Sequence, residues 1–198
     1  MRKKEILSAL LVVLIFCLGA CVQVLAQKAK VLMIDKGSYR VYYNPALGLP
    51  EVVLWHLTTG DIGSVKRDPS FRFKTDKDTP KPRVTSAMYS YSGYQRGHMC
   101  PAADRSANKA LMKSTFVMSN VAPMTPKLNT GAWKITENYG RQLLCQADTI
   151  QISASTIFFP KDTSWIGGGR VAVPHAFMKV ITIPNRYDFC KIFILDNL

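Results

Sequence analysis

The feature that most constrains the fold is a run of alternating apolar and polar residues near the start, "LMIDKGSYRVYYNPALGLPEVVLWHLT" (residues 32–58). Alternation with a period of two, rich in Val, Ile and Tyr, predicts strands half-buried on one face, and "NPALGLP" breaks the run as a turn. Three later segments, "TIQISASTIFF", "FMKVITI" and "DFCKIFIL", also read as strands, and "TFVMSNVAP" reads as a short strand running into a turn. Helical period appears in "RSANKALMKS" and in "LNTGAWKITENYGRQLLC". Residues 60–88 are charged and loop-like. The pattern is α+β: a mixed or antiparallel sheet core with one long helix embedded among strands, and no repeat or low-complexity linker.

The chain has 198 residues, enough for one domain. Residues 1–26 read as an export signal: a basic start at Arg2, Lys3 and Lys4, an apolar run from Ile6 to Cys17, then a small-residue exit. Two exits are present. "LGAC" (residues 18–21) has the form of a lipoprotein box with Cys21 as the lipidated residue, and "VLAQ" (residues 24–27) that of a signal-peptidase site after Ala26. Either sends the product out of the cytoplasm: secreted, periplasmic, or an envelope lipoprotein that touches a membrane only through Cys21. Residues 27–198 then form the working domain, with 23 basic and 12 acidic residues and a net charge of +11. So basic an exported domain suits a polyanionic partner, although a plain soluble surface has the same charge. Cys100, Cys145 and Cys190 remain, without the spacing of a zinc site; one disulfide and a free thiol is an open arrangement.

In the last helical segment Asn129, Trp133, Glu137 and Arg141 recur every four residues, so on one continuous helix they form a slowly turning stripe. Periodicity alone is satisfied by a structural reading, with Asn129 capping the helix, Trp133 packed inward, and Glu137 paired to Arg141. Upstream lies "GYQRGHMCPAADR" (residues 93–105), which contains His98, one of three histidines. By itself it supports only a histidine near a turn.

Taken together, "YQRGHMCPAADR" and "TFVMSNVAPMTPKLNTGAWKITE" resemble the DNA/RNA non-specific endonuclease family, the ββα-metal or His-Me finger nucleases, which include endonuclease G. The family pattern runs Asp-Arg-Gly-His, then Ser-Asn-x-x-Pro-Gln, then Asn-x-x-x-Trp-x-x-Leu-Glu. Arg96-Gly97-His98, Ser119-Asn120 with Pro123, and Asn129, Trp133 and Glu137 match in order and register, within a resemblance running from about residue 53 to about 183. The resemblance implies a ββα-metal motif and an endonuclease that hydrolyses the backbone of DNA and RNA without reading sequence. It makes His98 the general base and Asn129 the direct protein ligand to Mg²⁺, with Mn²⁺ able to substitute. Glu137 would hold water of the ion's shell, Arg96 and Arg141 would contact phosphate, and Asn120 would pin the loop beneath His98. Oligomeric state is not implied.

The chain departs from the pattern at several places. Gln95 stands for the aspartate, Met124 for the glutamine, Ile135-Thr136 before Glu137 where a leucine is usual, and "ISAST" where a Thr-Gly-Pro turn is usual. His56 falls at or near the place of a phosphate-binding arginine and reads better as a strand histidine without a role; His175 reads as structural or exposed. Family members continue past the "DFCKIFIL" strand, so a truncated C-terminus is expected. Two alternatives follow: a nucleic-acid-binding relative that has lost turnover, and a cationic envelope lipoprotein with no nucleic-acid role.

Overall fold

The computed structural model describes residues 30–159 and 162–198; the export-signal reading of residues 1–26 and the competing exits lie outside the described residues. The first strands form as the alternation predicts: β1 (Leu32–Asp35), β2 (Arg40–Asn44) and β3 (Leu49–Thr58), linked antiparallel. Asn44 builds the β2–β3 turn. Its Oδ1 accepts from the amides of Ala46 and Leu47 at 2.9 and 3.3 Å, and its Nδ2 donates to Glu51 at 2.6 Å. Gly48 closes that turn at φ +67°, where a Cβ would run into the Arg170 carbonyl.

The later strands are β4 (Gln95–His98), β5 (Val121–Met124), β6 (Thr149–Ile157), β7 (Trp165–Ile166), β8 (Val171–Ala172), β9 (Ala176–Thr182) and β10 (Cys190–Asp196). The main sheet has the order β1-β2-β3-β6-β9-β10, antiparallel throughout. Its inner face carries Val53, Trp55, Leu57, Ile150, Ile152, Ala154, Phe177 and Ile181, all buried, which is the period-two pattern cashed out as a core.

Against this face lies a ββα unit. β4 and β5 pair antiparallel, joined by a segment that holds α1 (Lys109–Ser114) and followed by α2 (Pro126–Thr130) and α3 (Ala132–Gln142). "TFVMSNVAP" is therefore shifted from the expectation: a 3-10 turn occupies Met118–Asn120, and the strand begins at Val121. Asn197, just past β10, fastens the sheet to this unit. Its Oδ1 accepts from Thr125 N at 2.8 Å, and its Nδ2 donates to the carbonyls of Pro123 and Pro174 at 3.0 and 2.9 Å.

The single helix expected from Asn129 onward is two helices. Gly131, with φ −103° and ψ −109°, ends α2 by donating to the carbonyls of Lys127 and Leu128, and its own carbonyl starts α3 by accepting from Ile135. Asn129 thus sits in the last turn of α2 and is not the N-cap of the helix that carries Trp133, Glu137 and Arg141. The four-residue stripe is broken at its first step, because glycine leaves the helical region there at little cost.

Gly97 is buried in β4 opposite Ala122, with the Met124 side chain lying across it; a Cβ at residue 97 would occupy the space of the Met124 thioether. Gly97→Ala should therefore destabilise the domain by about 1–3 kcal/mol in urea unfolding. Met124→Ala should relieve part of that clash, making the double variant less destabilised than the two single losses added together.

Candidate active site

His98 ends β4, and its ring is clasped by two aromatics, Phe73 and Phe116, each with its centroid 4.8 Å away. The ring as a whole is half-buried, while Nε2 is wholly buried and has no hydrogen-bond partner among the described residues. Burial, then the nearby Arg67 guanidinium, pushes its pKa down to about 3, so the imidazole is held neutral. Its backbone is fixed too: Trp133 Nε1 donates to the His98 carbonyl at 3.0 Å.

Asn120 lies beside the end of β4, its carbonyl accepting from Met99 N at 2.9 Å. Fully buried, it accepts from Cys100 N at 2.9 Å through Oδ1, and its Nδ2 donates to the carbonyls of Cys100 and Thr115 at 2.9 and 3.1 Å. The chain just after His98 is thereby locked to the segment leading into β5. Ser119 beside it donates to the buried Asp76 carboxylate, which Lys36 also holds at 2.7 Å.

Asn129 reaches the same site from α2. Its Nδ2 donates to Gln95 Oε1 at 2.7 Å, leaving Oδ1 with no protein partner among the described residues. Gln95 and Met124, two departures from the family pattern, are directly opposed in the β4–β5 register. The orienting charge of an aspartate is absent at residue 95, but an acceptor remains and it sets the Asn129 amide.

From α3 come Glu137 and Arg141. They do not form the i,i+4 pair that periodicity allows. Arg141 donates instead to Asp104 Oδ1 at 2.6 Å and to Asn138 Oδ1 at 2.5 Å, while Asp104 Oδ2 accepts from Trp55 Nε1 at 2.9 Å. Asp104, buried in the 3-10 turn Ala102–Arg105, outbids the neighbour on the helix because a buried carboxylate requires a charged donor. Burial raises Glu137 to about 6, with Lys179 the largest influence in the other direction. Arg96 is anchored through Nε and Nη2 to the Ser86 carbonyl, at 3.2 and 2.5 Å, and lies over the Tyr89 ring at 5.7 Å.

His98, Gln95, Asn129 and Glu137 all line one cleft of about 1070 Å³. Among the described residues its walls also carry Arg67, Arg72, Arg96, Lys134 and Arg141, five cations against the single carboxylate of Glu137. Arg67 was not singled out from sequence, where it is one basic residue in a charged loop. The fold places it 5.1 Å above the Phe116 ring that clasps His98. Asp104 was missed as well, since nothing in "AADR" marks it as the anchor for Arg141. His56 is exposed on β3 with its carbonyl accepting from Arg105, and it does not line the cleft. His175 is structural: Nδ1 accepts from Phe159 N at 3.1 Å. Cys100 is buried, Cys145 and Cys190 are exposed, and all three are free thiols. Among the described residues no three His, Cys, Asp or Glu side chains converge, so a cation in the cleft would rely on Asn129 Oδ1 and water.

A depressed histidine has a consequence for stability. The unfolded chain takes up a proton at His98 below about pH 6.5, whereas the folded chain resists until about pH 3. This residue therefore removes stability as pH falls through that window and has no effect above it. NMR of the ring nitrogens should find His98 neutral at pH 5. The loss of stability between pH 7 and 4 should also be smaller in His98→Phe than in the wild type.

Comparison with known proteins agrees with this architecture. The family model for DNA/RNA non-specific endonucleases matches residues 22–189. A nuclease of Nostoc sp. is 35% identical over 153 residues, covering 75% of this chain and 53% of that protein. Nuclease C1 of Cunninghamella echinulata is 36% identical over 185 residues, covering 83% and 71%, and mitochondrial endonuclease G of Homo sapiens 33% over 162 residues, covering 75% and 54%. The chain thus spans about half the length of two of these relatives. A solved structure of an EndoG/EndoGI complex matches with a TM-score of 0.77 and 25% identity, over 84% of this chain and 74% of that one. With the sheet, the ββα unit and the matched stretch all in place, the chain belongs to the DNA/RNA non-specific endonuclease family.

Proposed function

We propose that this protein hydrolyses phosphodiester bonds of DNA and RNA without sequence preference, assisted by one divalent cation, Mg²⁺ or Mn²⁺. The observation that carries this reading is the convergence of His98, Asn129 and Glu137, from β4, α2 and α3, on one cationic cleft. The cation fits the donor set: Asn129 Oδ1 has no partner among the described residues, and a single amide oxygen suits an ion that keeps most of its own water. When bound, the ion supplies positive charge to the phosphate in the transition state and to the leaving oxygen.

The protein's own residues do the rest. Arg67, Arg96 and Arg141 bind and orient the phosphate, through planar forks whose conformations are already fixed by Phe116, Ser86 and Asp104. His98, neutral in the free protein, takes a proton from the attacking water. Burial does most to lower His98 and the Arg67 charge adds to it; an arriving phosphate offsets the Arg67 part and so favours proton uptake by the imidazole. Glu137 accepts hydrogen bonds from water at the cleft, and Asn120 holds the loop that follows His98. Attraction to the phosphate backbone makes binding salt-sensitive and carries no sequence information. The basic start and apolar run of residues 1–26 support export, ahead of a nuclease domain from residue 27. An intact leader on protein recovered from outside the cytoplasm would contradict cleavage there.

Purified protein should nick supercoiled plasmid and degrade RNA with Mg²⁺, and EDTA should stop both. Binding without cutting under any divalent ion would favour the turnover-deficient alternative. Asn129→Ala should abolish Mn²⁺ binding measured by electron paramagnetic resonance. Gln95→Leu, which frees the Asn129 amide, should weaken it about 10-fold; unchanged Mn²⁺ affinity in both variants would refute the assigned ligand.

A further inference from the structure

The segment from Ile62 to Thr79 contains no helix or strand, yet it brings Arg67 and Phe73 to the cleft. Phe73 is half of the clasp on His98; the other half, Phe116, lies 5.2 Å from it. The loop runs parallel to the chain that leads into β5, through a bridge one residue long. Lys74 N donates to the Phe116 carbonyl, and the Lys74 carbonyl accepts from Met118 N, both at 2.9 Å. So short a pairing specifies its register weakly, and a slip of one residue would turn Phe73 to the other face.

Asp76 supplies the missing fastening. Its carboxylate is 4% exposed and takes three donors: Lys36 Nζ at 2.7 Å, the Ser119 hydroxyl, and the Asp78 amide at 3.1 Å. Phe73 beside Phe116, Lys74 beside Val117 and Asp76 beside Ser119 all keep one offset of 43 residues. Lys36 comes from the turn between β1 and β2, and its Nζ also holds Asp78 at 2.7 Å. In the same turn Tyr39 Oη donates to the Ser114 carbonyl at 2.9 Å. A hairpin at the edge of the main sheet, the loop, and the segment before β5 therefore meet at one carboxylate. None of Lys36, Asp76 and Ser119 lines the cleft. Burying a carboxylate is costly unless its donors stay in place, so a shifted register is penalised here.

We propose that Asp76 is a positioning residue of the active site: by fastening the loop to Ser119 and Lys36, it locks the register that holds the Phe73 ring against His98. The proposal rests on the part given to His98 in the nuclease reading. Both rings of the clasp are referred to the same junction, because Phe73 is on the strand of chain that carries Asp76 and Phe116 on the one that carries Ser119. Ser119 gives the junction a second path to the histidine, since its neighbour Asn120 locks the chain just after His98.

Asp76→Asn keeps the shape of the side chain and removes the charge that Lys36 binds. In this variant the His98 ring resonances, displaced in the wild type by the ring currents of Phe73 and Phe116, should move toward those of an unclasped imidazole. The kcat should fall about tenfold while KM stays within about threefold, since Ser86 and Asp104 still hold Arg96 and Arg141. Action through Phe73 makes a stricter demand. In a Phe73→Ala background, Asp76→Asn should lower kcat by less than about twofold more, although it still costs stability in urea. A full further loss of kcat in that background, or unmoved His98 resonances in folded Asp76→Asn, would reduce Asp76 to a structural prop and overturn the proposal. Lys36→Met should show the same ring signature as Asp76→Asn, and Lys36→Arg should keep that of the wild type. Should Asp76→Asn not fold, Ser119→Ala, which removes a single donor, must move the His98 resonances in the same direction; if they stay, the register lock is wrong. These resonances need neither substrate nor metal. If they move in a protein that cuts nothing, the positioning stands and the nuclease reading falls; if they stay in a protein that cuts, the positioning falls alone.

Discussion

The indole of Trp133 is the contact on which the rest of the site depends. Fully buried, it packs on Phe177 of the main sheet at 5.5 Å, donates to the backbone of His98, and offers its face to Lys179. One side chain therefore ties α3 to the sheet, aligns the end of β4, and seats a buried cation. A smaller residue here would loosen three elements at once, and the side chains they carry meet in one cleft. Trp suits this duty because it combines a large apolar body with one directed N–H and a face that attracts cations.

Burial shapes the chemistry through charge. Two phenyl rings and a guanidinium hold His98 neutral, five cations among the described residues line the cleft, and the buried Asp104 carboxylate is held by Arg141 and Trp55. Such a site is arranged around an absent negative charge. On the proposed reading a phosphate would supply it.

Much of the fold was legible in the sequence because the main sheet has one buried face, and alternation records that directly. β3, β6, β9 and β10 fall where the pattern put them. The helix break at Gly131 was not legible, because a period of four continues across it in the letters while the backbone does not. Local pattern is blind to partners distant in the chain. That is why Arg141 turned out to serve Asp104, and Arg67 to stand over Phe116. Lys179 read as one letter of the strand "FMKVITI", and its isolation from water appears only when α3 is laid over β9. Of the departures, Gln95 and Met124 could be seen one at a time; that they oppose each other, and that Gln95 takes the Asn129 amide, needed the register.

The central claim is that His98 is the base of a phosphodiester-cleaving site and not a packed core histidine. The most direct measurement compares plasmid cleavage and salt-dependent DNA binding in His98→Gly, with and without added imidazole. The account predicts a loss of cleavage of about 10²–10⁴-fold, DNA affinity close to wild type, and partial recovery with imidazole. A His98→Gly protein that cuts at the wild-type rate would contradict it.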